Sequence, residues 1–191
     1  MESNRLEAFS DGVFAIIITI MVLELRVPHA ATLSALRPLV PVFLTYVLSF
    51  VYLGIYWNNH HHLLRVCGRI NGAIMWANLH LLFWLSLFPF VTGWMGENQF
   101  SALPSAFYGA VLLMAALAYY LLQTLIVAAQ GRDSRLARSL GFDWKGKLSP
   151  LLYALAIGLS FVGPWIAGGI YLAVALIWLI PDRRLARVGH G

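Results

Sequence analysis

Long apolar stretches recur along almost the whole chain, separated by short segments that are polar or contain glycine and proline. A helix needs about 20 apolar residues to cross the hydrocarbon core of a bilayer. Stretches near this length predict six membrane-spanning helices with short connections. Their approximate bounds are 9–27, 39–63, 71–95, 104–130, 148–165 and 166–181. The predicted fold class is therefore an all-α integral membrane domain over residues 1–181, followed by a short basic tail at 182–191.

The boundary between the fifth and sixth stretches is the least distinct of the connections. Gly163 and Pro164 are adjacent, and Gly168 and Gly169 follow shortly after them. Glycine loosens a helix, and proline removes a backbone donor. Two arrangements fit this pattern: a very tight turn between two short helices, or a kink within one long segment.

The composition excludes an ordinary soluble domain. Hydrophobic residues make up 60% of the chain, charged residues make up 11%, and the mean hydropathy is +0.76, whereas soluble domains are about 25% charged. Six spans leave no length for a soluble catalytic domain, and there is no basic domain for nucleic acid. No small-residue cleavage site follows the first apolar stretch, so we expect it to be retained. A single cysteine, Cys67, excludes an internal disulfide.

The distribution of lysine and arginine predicts the orientation in the membrane. Eleven of these residues fall on the side of the N-terminus, and two, Arg26 and Arg37, fall on the other side. Cytoplasmic loops carry the excess of positive charge, so both termini are predicted to be cytoplasmic, with an even number of spans. Merging the last two spans would place the basic tail outside, so the charges favour six. The basic connection at 132–138 suits anionic lipid headgroups, although a solvated loop is the simpler account.

Two sets of residues face opposite sides of the first predicted helix, because successive residues turn by about 100°. One face is apolar apart from one hydroxyl and contains Gly12, Ile16, Thr19, Ile20 and Leu23. The other face contains Ser10, Asp11, Phe14 and Ile18. Several copies of the helix around an axis would turn rings of branched apolar side chains inward, and such a constriction could gate by dewetting. On composition alone, a lipid-facing surface is the favoured account of these isoleucines and leucines.

Ser10 and Asp11 lie near the cytoplasmic end of this helix. Polar groups in lipid need hydrogen-bond partners, and the second and third spans bring candidates to the same level. The candidates are Trp57, His60, His61 and Asn78. The sequence therefore predicts a polar network that holds the first helix in place.

Three consecutive histidines, His60 to His62, raise the alternative of a metal site. Adjacent helical positions diverge by about 100°, whereas helices that bind zinc use spacings such as i and i+4. His80 stands alone on the third span, and His29 lies on the opposite side of the membrane. A structural metal site is therefore not predicted, and a hydrogen-bonding role for the histidines is favoured.

One motif is specific enough to indicate a family. Arg5 is followed by Phe9-Ser10-Asp11 and then by Gly12-Val13-Phe14-Ala15-Ile16. This pattern resembles the arginine and FSD signature of the transmembrane protein 175 potassium channel family, in its bacterial single-repeat branch. Segments 56–61 and 78–90 add to the resemblance, which covers roughly the first half of the chain. The last three spans match in hydropathy and length only.

The resemblance implies a homotetrameric potassium channel of the bacterial inner membrane, with the first helix of each subunit lining the pore and no cofactor. A carbonyl-lined filter is not implied, and the sequence has no Thr-Val-Gly-Tyr-Gly segment. Ile16 corresponds to the narrowest ring, Thr19 and Leu23 to the next lining positions, and Ile20 to the register alternative to Thr19. Permeant potassium would pass near Ile16 and Thr19.

The motif residues Arg5 and Phe9 are grouped, through the same resemblance, with the polar network that holds the helix. Three other functions stay open at this level. A small secondary transporter needs a polar site near the bilayer midplane, where the spans offer little besides Thr19, Gln123 and Thr124. An intramembrane enzyme needs a converging nucleophile, base and orienting group, which this sequence does not predict. The third alternative is a membrane scaffold without transport activity.

Overall fold

The computed structural model describes residues 3–65, 67–68, 70–131 and 144–179, and all regular structure within these ranges is helical. The α-helices are α1 (Ser3–Leu23), α2 (Leu33–Leu36), α3 (Val40–Arg65), α4 (Gly72–Ser86), α5 (Phe88–Glu97), α6 (Ala102–Gln130), α7 (Trp144–Leu159) and α8 (Pro164–Leu179). A 3-10 turn at Arg37–Leu39 joins α2 to α3. The prediction of an all-α fold is confirmed for these residues. The predicted basic tail at 182–191 and the basic connection at 132–138 lie outside them.

Four helical segments are long and apolar enough to cross a membrane, and they coincide with the first four predicted spans. They are Ser3–Leu23, Leu33–Arg65, Gly72–Glu97 and Ala102–Gln130. Helices α7 and α8 are shorter, at 16 residues each. The six-span count and the cytoplasmic position of both termini stay predictions.

The third predicted span is built from two helices rather than one. Helix α4 ends at Ser86 and α5 begins at Phe88, with Pro89 in the first turn of α5. Proline has no N–H to donate, and its ring collides with the carbonyl four residues earlier in a continuous helix. The helix therefore breaks at Leu87, and Pro89 occupies a position where a missing N–H costs nothing.

The last two helices are joined by a tight turn, which is one of the two arrangements that the sequence left open. Helix α7 ends at Leu159, and the N–H of Gly163 donates to the carbonyl of Leu159 at 2.8 Å, which closes the turn. Helix α8 then starts at Pro164, where the fixed backbone angle of proline suits a first helical position. The break thus lies at 160–163, several residues before the expected boundary at 165–166.

Helix α6 is the centre of the C-terminal half and packs against α4, α5, α7 and α8, whereas α1 packs against α3, α4 and α5. A buried tyrosine cluster, formed by Tyr52, Tyr108, Tyr153 and Tyr171, joins α3 to the C-terminal helices. The Tyr52 hydroxyl donates to the carbonyl of Tyr171 at 2.6 Å, and the Tyr171 hydroxyl donates to the carbonyl of Ser105 at 3.0 Å. Gly109 leaves room for that hydroxyl, because a Cβ there would overlap it. One side of α1 is not covered by the described residues of the subunit.

Candidate functional site

Helix α1 has one buried face and one exposed face. The buried residues follow helical spacing and are Leu6, Ser10, Phe14, Ile17 and Met21. The exposed face contains all five residues of the predicted pore stripe, which are Gly12, Ile16, Thr19, Ile20 and Leu23. Ile16 is 60% exposed and Leu23 is 77% exposed in the subunit. Large apolar side chains exposed in this way are available either to lipid or to other subunits.

Thr19 is the one hydroxyl-bearing residue on the exposed face, and its hydroxyl is used locally. It donates to the carbonyl of Ala15, one turn earlier, at 2.8 Å. This back-bonding is common for threonine in membrane helices and leaves the oxygen lone pairs directed away from the helix backbone. Thr19 can therefore accept from, or coordinate, a group that passes along this face.

A fully buried polar chain attaches the N-terminal half of α1 to α3 and α4. The Ser10 hydroxyl donates to the carbonyl of Leu6 at 2.8 Å, and Asn78 Nδ2 donates to Ser10 Oγ at 3.0 Å. Asn78 Oδ1 lies 2.6 Å from His60 Nε2. Since the Asn78 amide group donates to Ser10, its oxygen must accept, and His60 Nε2 must carry the proton. Ser10, His60 and Asn78 are each 0% exposed, so the chain is sealed from lipid and water within the subunit.

The other ring nitrogen of His60, Nδ1, is buried and has no hydrogen-bond partner among the described residues. The imidazole packs against Phe14, with ring centroids 5.7 Å apart. The hydrogen bond to Asn78 places the proton on Nε2, so Nδ1 is an acceptor rather than a donor. A buried imidazole that packs on an aromatic ring and leaves one acceptor unpaired fits a histidine that fills a structural position.

A second set of contacts forms a ladder along the edge between α1 and α3. Trp57 Nε1 donates to Asp11 Oδ1 at 2.9 Å, and His61 Nδ1 lies 2.6 Å from Glu7 Oε1. Trp57 and His61 stack on each other one turn apart, with ring centroids 6.1 Å apart. Positions i and i+4 lie on one face of a helix, so the acidic pair on α1 meets the aromatic pair on α3 rung by rung. Asp11 thus acts as an acceptor that fixes the helix.

Glu7 is the residue of this ladder that sequence reasoning missed. It lies before the first predicted span, which begins near residue 9, and so outside the stretch where polar residues need partners in lipid. The signal that could have identified it is its spacing of four residues from Asp11, matched by the same spacing between Trp57 and His61. A third rung extends the ladder, since the Ser3 hydroxyl donates to the carbonyl of Leu64 at 2.8 Å.

The subunit does not bring Arg5 and Phe9 into these contacts. Both side chains are exposed, and Phe9 is 54% exposed. Their spacing relative to Gly12 and Ile16 places them on the exposed stripe of α1. Arg5 makes no hydrogen bond or ion pair with the part of the chain that the structure describes.

The three consecutive histidines point to different partners, as their spacing predicts. His60 meets Asn78, His61 meets Glu7, and His62 makes an edge contact with His61 at a centroid distance of 5.7 Å. Among the described residues, no group of three His, Cys, Asp or Glu side chains converges as a metal site would require. His80 lies apart and accepts from Trp84 Nε1 at 2.9 Å.

Comparisons with known proteins agree with this architecture. A family model described as Endosomal/lysosomal potassium channel TMEM175 matches residues 5–89. A protein named Potassium channel from Chryseobacterium sp. (strain P1-3) is 52% identical over 187 residues, which are 98% of this chain and 97% of that protein. A protein named Potassium channel from Streptomyces collinus (strain DSM 40733 / Tue 365) is 34% identical over 180 residues, 84% of each protein.

A solved structure gives the same fold. The crystal structure of a lysosomal potassium-selective channel TMEM175 homolog from Chamaesiphon minutus matches with a TM-score of 0.83 at 28% identity, covering 95% of this chain and 98% of that chain. The fold and the first helix define an all-α membrane protein with the architecture of this solved structure. The chain belongs to the TMEM175 family, and the family prediction made from the motif at Arg5 to Asp11 is confirmed.

Proposed function

We propose that this protein is a potassium-permeable cation channel that conducts ions passively. Four subunits surround a pore formed by their first helices, in the bacterial inner membrane with both termini cytoplasmic. Family membership supports this function, because two relatives matched over most of their length are named potassium channels. The matching solved structure is described as a potassium-selective channel. Catalysis is not part of the proposal, and no cofactor is needed.

The single observation that carries the pore assignment is the contrast between the two faces of α1. One face is fixed to the subunit through Ser10, Phe14 and Met21, while Ile16 and Leu23 project outward with 60% and 77% exposure. An apolar side chain offers no ligand to a potassium ion, so Ile16 and Leu23 would act as a hydrophobic constriction that conducts only when it is wide enough to hold water. Ile16 forms the narrowest ring.

Potassium ions pass near Ile16 and Thr19, with no site at which a metal ion is retained. The Thr19 hydroxyl oxygen supplies a polar point between two apolar rings, and Ile20 is the alternative lining residue in a slightly rotated register. Both residues are exposed in the subunit. In this arrangement discrimination among cations depends on the cost of dehydration at the constriction rather than on a set of carbonyl ligands.

Orientation and lipid contacts follow from the charges. The excess of lysine and arginine on the side of the N-terminus supports cytoplasmic termini. Anionic headgroups of the inner leaflet would be attracted to the basic connections on that side, including the segment at 132–138, by about 1 kcal/mol for each basic residue near the surface.

The test is a flux assay on the purified protein in potassium-loaded liposomes, followed with a proton-sensitive dye. Ile16→Asn adds a polar amide at the constriction, so it should raise flux and reduce the difference between potassium and sodium gradients. The matched control is Leu172→Asn, which makes a similar change at a 52% exposed leucine of α8. Flux that depends on protein and changes with Ile16 but not with Leu172 supports the pore.

Three outcomes would contradict the proposal. If Ile16→Asn leaves the flux and the preference between potassium and sodium unchanged, Ile16 is not the narrowest point. If correctly folded oligomers carry no flux in either variant or in the wild type, the protein is better explained as a non-conducting membrane scaffold. Flux that saturates with substrate and is coupled to a second ion would favour a secondary transporter.

A further inference from the structure

A buried chain of hydroxyl groups connects four helices in the half of the subunit away from Ser10. Ser49 Oγ on α3 lies 2.6 Å from Thr92 Oγ1 on α5 and 3.0 Å from the Tyr108 hydroxyl on α6. The Thr92 hydroxyl in turn lies 4.0 Å from Met21 Sδ on α1. Exposure is 0% for Ser49 and Tyr108, 2% for Met21 and 4% for Thr92. This hydroxyl chain therefore ends on the buried face of α1.

The direction of the hydrogen bonds follows from the chemistry of the last atom. A thioether sulfur can only accept, so Thr92 must donate to Met21. Thr92 has one proton, so its oxygen accepts from Ser49, and Ser49 in turn accepts from Tyr108. Each of the three hydroxyl groups then donates once. Removing any one of these hydroxyl groups therefore changes the hydrogen bonds of the groups after it, in the order from Tyr108 to Met21.

Another buried threonine shows that this arrangement is not inevitable for a hydroxyl in these helices. Thr45, also on α3 and 0% exposed, donates to the carbonyl of Val42 in its own helix at 2.8 Å. A hydroxyl that bonds its own backbone joins no helices to each other. Ser49, Thr92 and Tyr108 instead bond across helices.

The position of Met21 indicates which part of α1 the hydroxyl chain can hold in place. Met21 and Ser10 lie on the same buried face of α1, eleven positions apart, which is about 16 Å along a helix axis. The buried polar chain through Ser10 holds one end of this interval, and the hydroxyl chain through Met21 holds the other. Ile16, Thr19 and Ile20 lie between the two attachments, and Leu23 lies just beyond Met21.

We propose that Tyr108, Ser49 and Thr92 are positioning residues that fix the rotation of the outer half of α1 through Met21, and so set how far Leu23 projects. The consequence for conduction rests on the proposed function, because it requires that Leu23 line a pore. Interhelical hydrogen bonds in membranes are individually weak, so they are better suited to choosing one rotation of a helix than to holding the fold together.

The experiment uses the full-length chain in liposomes, with Cys67 replaced by alanine and a single Leu23→Cys as an accessibility probe. Thr92→Val keeps the branched shape and removes the donor. The labelling rate of Leu23→Cys by a water-soluble thiol reagent should change about threefold, the factor that corresponds to a typical interhelical hydrogen bond. Thr92→Ser, which keeps the hydroxyl, should restore the original rate. Thr45→Val is the matched control and should leave the rate unchanged.

A second pair of variants separates a directional chain from simple packing. Met21→Leu removes the acceptor with little change in volume, and its effect on the labelling rate should match that of Thr92→Val. Because both variants break the same bond, the double variant should show no further change. Additive effects would contradict a hydrogen bond between Thr92 and Met21 that positions α1. A Thr92→Val protein that melts at a lower temperature with an unchanged labelling rate would contradict it as well.

Failure of the inference can be distinguished from failure of the proposed function. The labelling rate reports the position of α1 whether or not ions flow. If the wild type carries no flux but the rate at Leu23→Cys responds to Thr92→Val and not to Thr45→Val, the positioning role stands and the pore does not. If flux is present and neither the rate nor the preference between potassium and sodium responds, the positioning role fails alone.

Discussion

The two faces of α1 differ in what fixes their side chains. On the buried face, Ser10 joins a polar chain to two other helices, and Phe14 packs on His60. On the exposed face, Ile16 is 60% exposed, and the hydroxyl of Thr19 bonds only its own helix among the described residues. A single helix thus separates attachment to its own subunit from contact with whatever lies outside. Substitutions on one face should change stability, and those on the other should change transport.

The largest effect is expected at the centre of the buried face. Phe14 is 1% exposed, so Phe14→Ala leaves a cavity and should lower the free energy of unfolding by about 3–5 kcal/mol. Denaturant unfolding of the subunit in detergent measures this loss. The matched change on the exposed face, Ile16→Ala, should cost about 0.5 kcal/mol or less. Equal losses at the two positions would contradict the separation of the faces.

A smaller loss is expected when the buried polar chain is cut. Asn78→Ala removes the partner of both Ser10 and His60, whose polar groups are fully buried, and should cost about 1–3 kcal/mol. The control is Asn98→Ala, because Asn98 Nδ2 donates to the carbonyl of Trp94 in an exposed turn. Thermal unfolding of both variants provides the measurement. An Asn78→Ala protein as stable as the control would show that the chain contributes nothing to attachment.

The smallest effect on stability, and the sharpest difference between the faces, is expected at Gly12. Apart from its chain neighbours and the backbone of its own helix, no described residue has a heavy atom within 4 Å of a Cβ added there. Because alanine favours a helix over glycine by up to about 1 kcal/mol, Gly12→Ala should keep or raise stability. If four copies of this face converge, the added methyl groups should narrow the pore and lower flux in the liposome assay.

Gly54→Ala is the control for Gly12→Ala, since a Cβ added at Gly54 on α3 likewise meets no described atom within 4 Å outside its chain neighbours and its own helix backbone. The same gain in helix propensity is expected at Gly54, without an effect on transport. Identical flux in the two variants would argue that the exposed face of α1 does not surround the conduction path.

Much of the arrangement around α1 was accessible from the sequence. A helical period of 3.6 residues separates Ser10 and Phe14 from Ile16 and Leu23, and a helical hairpin brings the end of one span level with the start of the next. Neighbouring helices therefore had to place Trp57, His60 and Asn78 near Ser10 and Asp11. The pairings themselves depend on the rotation of each helix, which the weak periodicity of α3 and α4 does not specify.

Two other features could not be predicted from the sequence: the exact break between α4 and α5, and the hydroxyl chain. Pro89 announces the break after Ser86, but a proline three residues from a helix end is compatible with several positions of the break. The hydroxyl chain from Tyr108 to Met21 has no sequence signature, because its four members lie on four helices far apart in the chain. Only the packed tertiary structure brings such residues together, and single serines and threonines are common in any membrane helix.

The unequal lengths of the helices in the C-terminal half have a consequence for the surrounding membrane. Helix α6, with 29 residues, is about 43 Å long, whereas the described parts of α7 and α8, with 16 residues each, are about 24 Å long. The hydrocarbon core of a bilayer is about 30 Å thick, so a spanning α6 must tilt or protrude, whereas the described parts of α7 and α8 are shorter than this thickness. Because of this hydrophobic mismatch, the thickness of the bilayer should affect the protein. If α7 and α8 cross the bilayer at these lengths, lipids with short acyl chains should gather beside them, and thicker membranes should strain that side of the subunit first.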